Sequence, residues 1–225
     1  MLNPEMAEDD DNVTNVTCED ISQIPALQKL MTESTGFSTG FIRIHPYNQI
    51  FPTHLKNYIT EIRDFEVFED DIWVSSFPKS GTTWTQEMVW CIKNNVDVER
   101  ARASKLENRV PFLEHSAIAA SVPDKESFSD VRKMQRPRII KTHFSFDMLP
   151  KEVVRKGARV VYVTRNPRDV CVSLFNHFRI FRGYTGTFED IAQLFLQDIC
   201  GMYTPFPNHV LGYWDKRDLP KFFSS

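Results

Sequence analysis

The sequence predicts an α/β fold in three layers, a parallel sheet flanked by helices. Two observations carry this. Short β-branched and aromatic runs alternate with stretches of helical period. The polar side chains with chemical potential fall at the carboxyl ends of those runs, where ligands bind in sheets of this kind.

The first strand is Asp71-Ile-Trp-Val-Ser-Ser-Phe77, which ends at Pro78. Thr83 to Asn94 reads as a helix with Trp84, Met88, Cys91 and Ile92 on one apolar face, stopped by Asn94-Asn95. A second strand is Pro137–His143. A third, Ala158–Thr164, passes through Arg165-Asn166 into Pro167, in the first turn of a helix lined by Val170, Leu174, Phe178 and Phe181. A further helix follows Thr187, which forms a capping-box pattern with Asp190, and carries Phe188, Ile191, Phe195 and Ile199 on one face. Lys221-Phe222-Phe223 opens a fourth strand that the sequence does not complete before Ser225, which reads as a truncated chain with an open apolar edge.

The composition, 225 residues with 41% apolar and 25% charged side chains, fits one folded domain and excludes whole-chain disorder, collagen-like repeats and a disulfide scaffold. Residues 1–20 hold seven acids and no Lys or Arg, and read as a solvated, disordered tail. The domain is assigned to residues 21–225, left at +4 by a total of -3. That mild excess suits a small anionic ligand and falls short of a nucleic-acid binder. No apolar run is long enough to span a membrane. Four scattered cysteines signal neither a zinc site nor a disulfide framework. With no secretory leader read at the start, the expected compartment is the reducing cytoplasm, and the sequons at Asn12 and Asn15 are expected to stay unmodified.

The strongest chemical signal is Phe77-Pro-Lys-Ser-Gly-Thr-Thr-Trp84, a strand-to-helix turn with a lysine, a glycine and three hydroxyls. Amides at a helix start carry partial positive charge, Gly81 lets the backbone approach a ligand, and Lys79 adds a full charge, so the turn suits phosphate or sulfate oxygens. It is not the G-x-x-x-x-G-K-[ST] loop of nucleotide triphosphatases, because lysine precedes glycine. A lone Lys, Ser or Thr here would ordinarily be solvated or a cap; the whole octapeptide points to a cradle.

This octapeptide resembles the loop by which cytosolic sulfotransferases hold the 5′-phosphosulfate of 3′-phosphoadenosine 5′-phosphosulfate (PAPS). Asn108–Glu114, Pro137–His143 and Tyr162–Ser173 resemble further family segments in the family's order, and the likeness runs from roughly Phe51 onward. It implies a P-loop-like, nucleotide-binding sulfotransferase fold lacking its last strand and C-terminal helices. The implied reaction transfers a sulfuryl group from PAPS to a hydroxyl of a small phenol, alcohol or steroid-like acceptor, without a metal.

The family pattern makes His143 the base, although a lone histidine is more often structural. Lys79 and Lys141 become the cations that neutralise charge on the sulfuryl and leaving oxygens. Ser80, Gly81, Thr82 and Thr83 would hold the 5′-phosphate, Trp84 would stack on adenine, and Arg165 with Ser173 would hold the 3′-phosphate, for which an arginine fork is suited. Phe112, Phe51 and Phe178 resemble acceptor-pocket residues, with core packing nearly as good an account. His45, His54, His115, His177 and His209 are read as structural, and Arg168 and Asp169 as helix-end charges. Members of the family extend further, with a tyrosine and an Arg-Lys-Gly segment at the nucleotide and a short dimerising segment. A dimer is therefore not implied, and no nucleic-acid or membrane partner is expected. The alternatives are a catalytically inactive truncated form that binds nucleotide or a relative, and a P-loop kinase, which does not explain His143.

Overall fold

In the computed structural model, residues 16–37, 39–119 and 122–224 are described, so the sequons and most of the acidic stretch lie outside the described residues. The chain enters on β1 (Thr17–Asp20) and α1 (Pro25–Thr32), then forms β2 (Phe41–His45), β3 (Gln49–Pro52) and α2 (Ile59–Arg63). The central strand β4 (Ile72–Ser75) leads into α3 (Thr82–Lys93), followed by short helices α4 (Val98–Ala103), α5 (Leu106–Arg109), α6 (His115–Ile118) and α7 (Glu126–Lys133). After β5 (Ile139–Thr142), α8 (Glu152–Arg155) and β6 (Arg159–Tyr162) come α9 (Pro167–Phe181), α10 (Phe188–Leu196), α11 (Phe206–Trp214) and β7 (Phe222–Ser224). No described helix is long and apolar enough to cross a membrane.

The expected parallel sheet is present in the order β5-β4-β6-β7. All four residues of β4 are buried, as expected for a central strand covered on both faces. In the register, Ser75 of β4 stands beside Thr142 of β5 and Tyr162 of β6. The three carboxyl ends are therefore level, and the segments that follow them open on one edge of the sheet. The strands are shorter than the apolar runs suggested, because the residues at either end leave the ladder for loops.

The fourth strand expected to open at Lys221-Phe222-Phe223 is present, with Phe222–Ser224 paired in register with Val160–Tyr162. Four features differ from the sequence reading. Residues 17–20, assigned to the acidic tail, pair antiparallel with β2 as an edge strand. The sheet β1-β2-β3 is not among the expected elements. On α9, Val170, Leu174 and Phe178 are buried as expected, but Phe181 is exposed at the helix end. The largest difference is the orientation of α3. Trp84, Met88 and Ile92 are 79%, 55% and 76% exposed, whereas Thr82, Thr85, Gln86 and Trp90 are buried. The helix docks through Trp90, with Val89 and Cys91, onto Ile72, Val74 and Ile139. Its first turn is held by the Thr82 hydroxyl against Ser76, and this contact overrides the apolar period. The expected capping box of α10 forms, with Thr187 accepting from the Asp190 amide at 3.2 Å.

Candidate active site

The cradle follows from the β4-to-α3 connection. Lys79 has φ +71° and Gly81 φ +106°, so the turn twice enters the left-handed region that L side chains avoid, and glycine takes the more extreme position. A Cβ placed on Gly81 would meet nothing within 4 Å, which leaves open space over the start of α3. Ser80 is buried and its hydroxyl has no partner. A buried, unsatisfied hydroxyl beside such a space fits an absent oxyanion. Thr82 is buried and bonded to Ser76, while Thr83 is exposed on the first turn. These residues fit the phosphosulfate end of PAPS.

His143 stands just beyond β5 and is held by three groups. Its Nδ1–H donates to the Ser76 carbonyl at 2.7 Å, which fixes the tautomer and leaves the lone pair on Nε2. Its own amide donates to Glu114 Oε1 at 2.6 Å. Its carbonyl accepts from His209 Nε2 at 2.9 Å. Burial, reinforced by the Lys141 charge, pushes the imidazole well below its usual range, so it is neutral. His209 is likewise neutral, pushed down to about 4 by burial, and accepts from the Tyr162 hydroxyl at 3.0 Å.

Lys141 is the third residue of β5, flanked by the segment 111–114. Its amide donates to the Pro111 carbonyl at 3.0 Å and its carbonyl accepts from the Leu113 amide at 3.0 Å. The ammonium lies 4.1 Å from the centre of the Phe112 ring. Burial lowers its pKa to about 8 against the opposing pull of Glu114, and Lys79 lowers it further. Glu114 is fully buried, and burial raises its carboxyl to about 7.

The other sequence candidates divide. Phe112 lies edge-on to His143, ring centres 5.2 Å apart. Phe51 is wholly buried against Phe144 and Tyr203, with the Tyr203 ring 5.1 Å away and itself 5.5 Å from His143. Phe178 is buried against Phe37 at 5.2 Å. Phe51 and Phe178 are thus part of the hydrophobic core. Arg165 is exposed beyond β6 and pairs with Asp169 at 3.5 Å, and Ser173 is half-buried on α9.

His209, Glu114, Ser76 and Tyr203 were not singled out as site residues from the sequence. Glu114 sat within a recognised segment, but its burial under His143 is a tertiary fact. His177, read as structural, has a buried Nδ1 without a partner. Burial and the charges of Lys79, Arg182 and Lys141 hold its imidazole down to about 4.

A parallel sheet in the order β5-β4-β6-β7 flanked by helices, with a glycine-containing turn from β4 into α3, is the architecture of the sulfotransferase fold. The same fold occurs in retinol dehydratase crystallised with androsterone and inactive cofactor PAP, with TM-score 0.82 and 24% identity over 93% of this chain and 69% of that one. It also occurs in mouse sulfotransferase SULT7A1 complexed with PAP, with TM-score 0.61 and 25% identity over 79% of this chain and 59% of that one. Residues 69–224 match the family described as the sulfotransferase domain, and the chain belongs to that family. It is 37% identical over 174 residues to luciferin sulfotransferase of Photinus pyralis, covering 71% of this chain and 46% of that protein. It is 33% identical over 160 residues to sulfotransferase 1 family member D1 of Rattus norvegicus, covering 70% and 52%. The chain thus spans about half the length of these relatives.

Proposed function

We propose that this site transfers a sulfuryl group from PAPS to a hydroxyl of a small phenol, alcohol or steroid-like acceptor. The observation that carries the reading is His143: neutral, with Nδ1–H committed to the Ser76 carbonyl and Nε2 free, beside Lys141 and a cradle with an unsatisfied Ser80 hydroxyl. When bound, PAPS supplies the sulfuryl group on a phosphate leaving group. Membership in the sulfotransferase family and the PAP bound by SULT7A1 support that donor.

The chain's own residues have distinct tasks. Ser80, Gly81, Thr82 and Thr83 receive the 5′-phosphate with the amides of the first turn of α3, and Lys79 and Lys141 counter the charge that builds on departing oxygen. His143 Nε2 takes the acceptor's hydroxyl proton. A phenol has a pKa of about 10 and is mostly neutral at cellular pH, so removing its proton aids attack. Phe112, against both His143 and Lys141, offers an apolar ring to the acceptor. The exposed Trp84 is available to stack on adenine, and Arg165, on breaking its Asp169 pair, can fork onto a 3′-phosphate with Ser173 nearby. The four free cysteines fit the cytoplasm as the place of action.

Replacing His143 by Ala is expected to lower transfer by about 10²–10⁴-fold, the usual worth of a positioned base. Calorimetric affinity for 3′-phosphoadenosine 5′-phosphate (PAP) should stay unchanged. Undiminished turnover by H143A would refute the base assignment. Failure of the folded 225-residue chain to bind PAP would refute the nucleotide reading.

A further inference from the structure

We infer that His209 is a positioning residue of this site, whose Nε2–H holds the main-chain carbonyl of His143 and so fixes where the free nitrogen of the base stands. The inference rests on the base role proposed for His143. Past Thr142 the chain leaves the ladder of β5, yet His143 and Phe144 are buried, so their carbonyls need donors from elsewhere. α11 supplies both. His209 Nε2–H donates to the His143 carbonyl at 2.9 Å. One helical turn on, the Tyr213 hydroxyl donates at 2.9 Å to the Phe144 carbonyl, which also accepts from Ser75 Oγ at 3.4 Å. On its other side the His143 amide donates to Glu114 Oε1 at 2.6 Å. Side chains thus clamp the main chain of the base before and after its Cα, which leaves only its side-chain torsions free. The bond from Nδ1–H to the Ser76 carbonyl at 2.7 Å fixes those.

His209 is itself held in one orientation. A carbonyl only accepts, so Nε2 carries the hydrogen, and the Tyr162 hydroxyl donates to Nδ1 at 3.0 Å. Tyr162 belongs to β6 and stacks on Tyr213 with ring centres 4.1 Å apart. Phe77, which opens the cradle, lies edge-on to the imidazole at 5.6 Å. The imidazole therefore sits between the start of the cradle and the base. An apolar side chain could fill this buried place, and Tyr213 alone already ties α11 to the segment beyond β5. What packing does not supply is a donor aimed at the carbonyl of residue 143. That donor matters because a displacement of about 1 Å in a reacting group can cost about a hundredfold in rate.

The test compares His209→Asn with His209→Gln. The amide nitrogen of glutamine reaches about as far as Nε2 and can donate to the His143 carbonyl, whereas that of asparagine reaches only as far as Nδ1. The first readout needs no turnover: solvent exchange of the His143 Nδ1–H, followed by nitrogen-edited NMR of histidine-labelled protein and assigned by its loss in H143A. Exchange should quicken by about tenfold in H209N, the worth of one hydrogen bond, and stay near wild type in H209Q. The second readout is transfer from PAPS to phenol, where kcat should fall by about ten- to a hundredfold in H209N, with PAP affinity unchanged, and recover in H209Q. Tyr213→Phe is the matched control: it removes the neighbouring bond from α11, leaves the Phe144 carbonyl to Ser75, and should alter neither readout. Wild-type exchange or wild-type kcat in a folded H209N chain would overturn the inference. So would a Y213F chain that matches H209N, because docking of α11 would then be the whole effect. Should H209N not fold, Tyr162→Phe removes the hydroxyl that orients the imidazole; a smaller change in the same direction is expected, and none would again overturn the inference. Undiminished transfer by H143A, with the ring signal still responding to His209, would undo the base assignment alone.

Discussion

Cations gather at both ends of the parallel sheet, and the two ends treat them in opposite ways. At the amino ends, just before β4 and β5, Arg138 and Asp71 form a fully buried pair, with Nε donating at 2.8 Å and Nη2 at 2.5 Å. Arg136 meets Asp70 at 2.7 Å, and Arg109 meets Glu87 through two bonds of 2.9 and 2.7 Å. Beside them lies a groove of about 500 Å³ lined by Trp90, Lys93, Arg100, Arg109 and Arg136. At the carboxyl ends, Lys79 has no carboxylate within ion-pair distance among the described residues, Lys141 rests on an aromatic ring, and the Ser80 hydroxyl has no partner. Capacity is thus left open at the carboxyl edge and largely consumed at the amino edge. This groove is therefore the poorer candidate for anion chemistry, because most of its guanidinium groups already hold carboxylates.

The most severe way to break this contrast is Asp71→Asn. It leaves the Arg138 guanidinium charged, wholly buried and without its counter-charge, although the Glu66 carbonyl still accepts from Nη2 at 2.9 Å. Breaking a buried pair from one side costs about 3–5 kcal/mol, so denaturant unfolding should show a loss of that order. PAP affinity of the remaining folded protein should be unchanged. An equally stable D71N chain would mean that the amino-end pairs are not what holds β4 to β5.

Lys79→Met is the converse experiment at the other end. No carboxylate is orphaned, so the unfolding midpoint should move little. PAP binding should weaken by about ten- to a hundredfold, the worth of one charge-assisted contact of about 1.5–3 kcal/mol. A stability loss as large as that of D71N, with affinity intact, would make Lys79 a structural cation and reverse the comparison.

The same contrast explains what could be read from the sequence. β4, β5, β6 and the turn from β4 into α3 were legible because their signals are local: β-branched runs, a proline stop, and one octapeptide holding lysine, glycine and hydroxyls. The three-stranded antiparallel sheet was not, since its strands are only four or five residues long, too short for the Ile42–His45 alternation to stand out, and Gln49–Pro52 shows no alternation and ends in proline. Their place is settled by distant partners, such as the Ile50 amide on the Thr204 carbonyl at 3.0 Å. The apolar stripe of α3 was legible as a stripe, but the face that docks is chosen by Thr82 against Ser76, a contact across the cradle. Glu114 could be quoted within a motif, whereas the convergence of the Thr142, His143 and Tyr203 donors on its Oε1 is a tertiary fact that no spacing announces.

The finest discrimination comes from Arg136→Gln. Arg136 forms two bonds to Asp70 and lies 4.0 Å from the centre of the Phe68 ring, so on a count of contacts it rivals the buried pair. Its side chain is nevertheless 47% exposed and that of Asp70 37%. Water solvates both charges before and after folding, so the pair contributes about 0–1 kcal/mol and the ring contact about as much. The expected result is a loss of about 1 kcal/mol or less in denaturant unfolding, reduced further by added salt, with PAP affinity unaltered. A loss comparable to that of D71N would show that pairing itself, and not burial, sets the stability of the amino edge. A drop in PAP affinity comparable to that of K79M would place the anion site in the groove. With neither, the division between an amino edge of matched charges and a carboxyl edge of open ones stands on burial and unmet capacity.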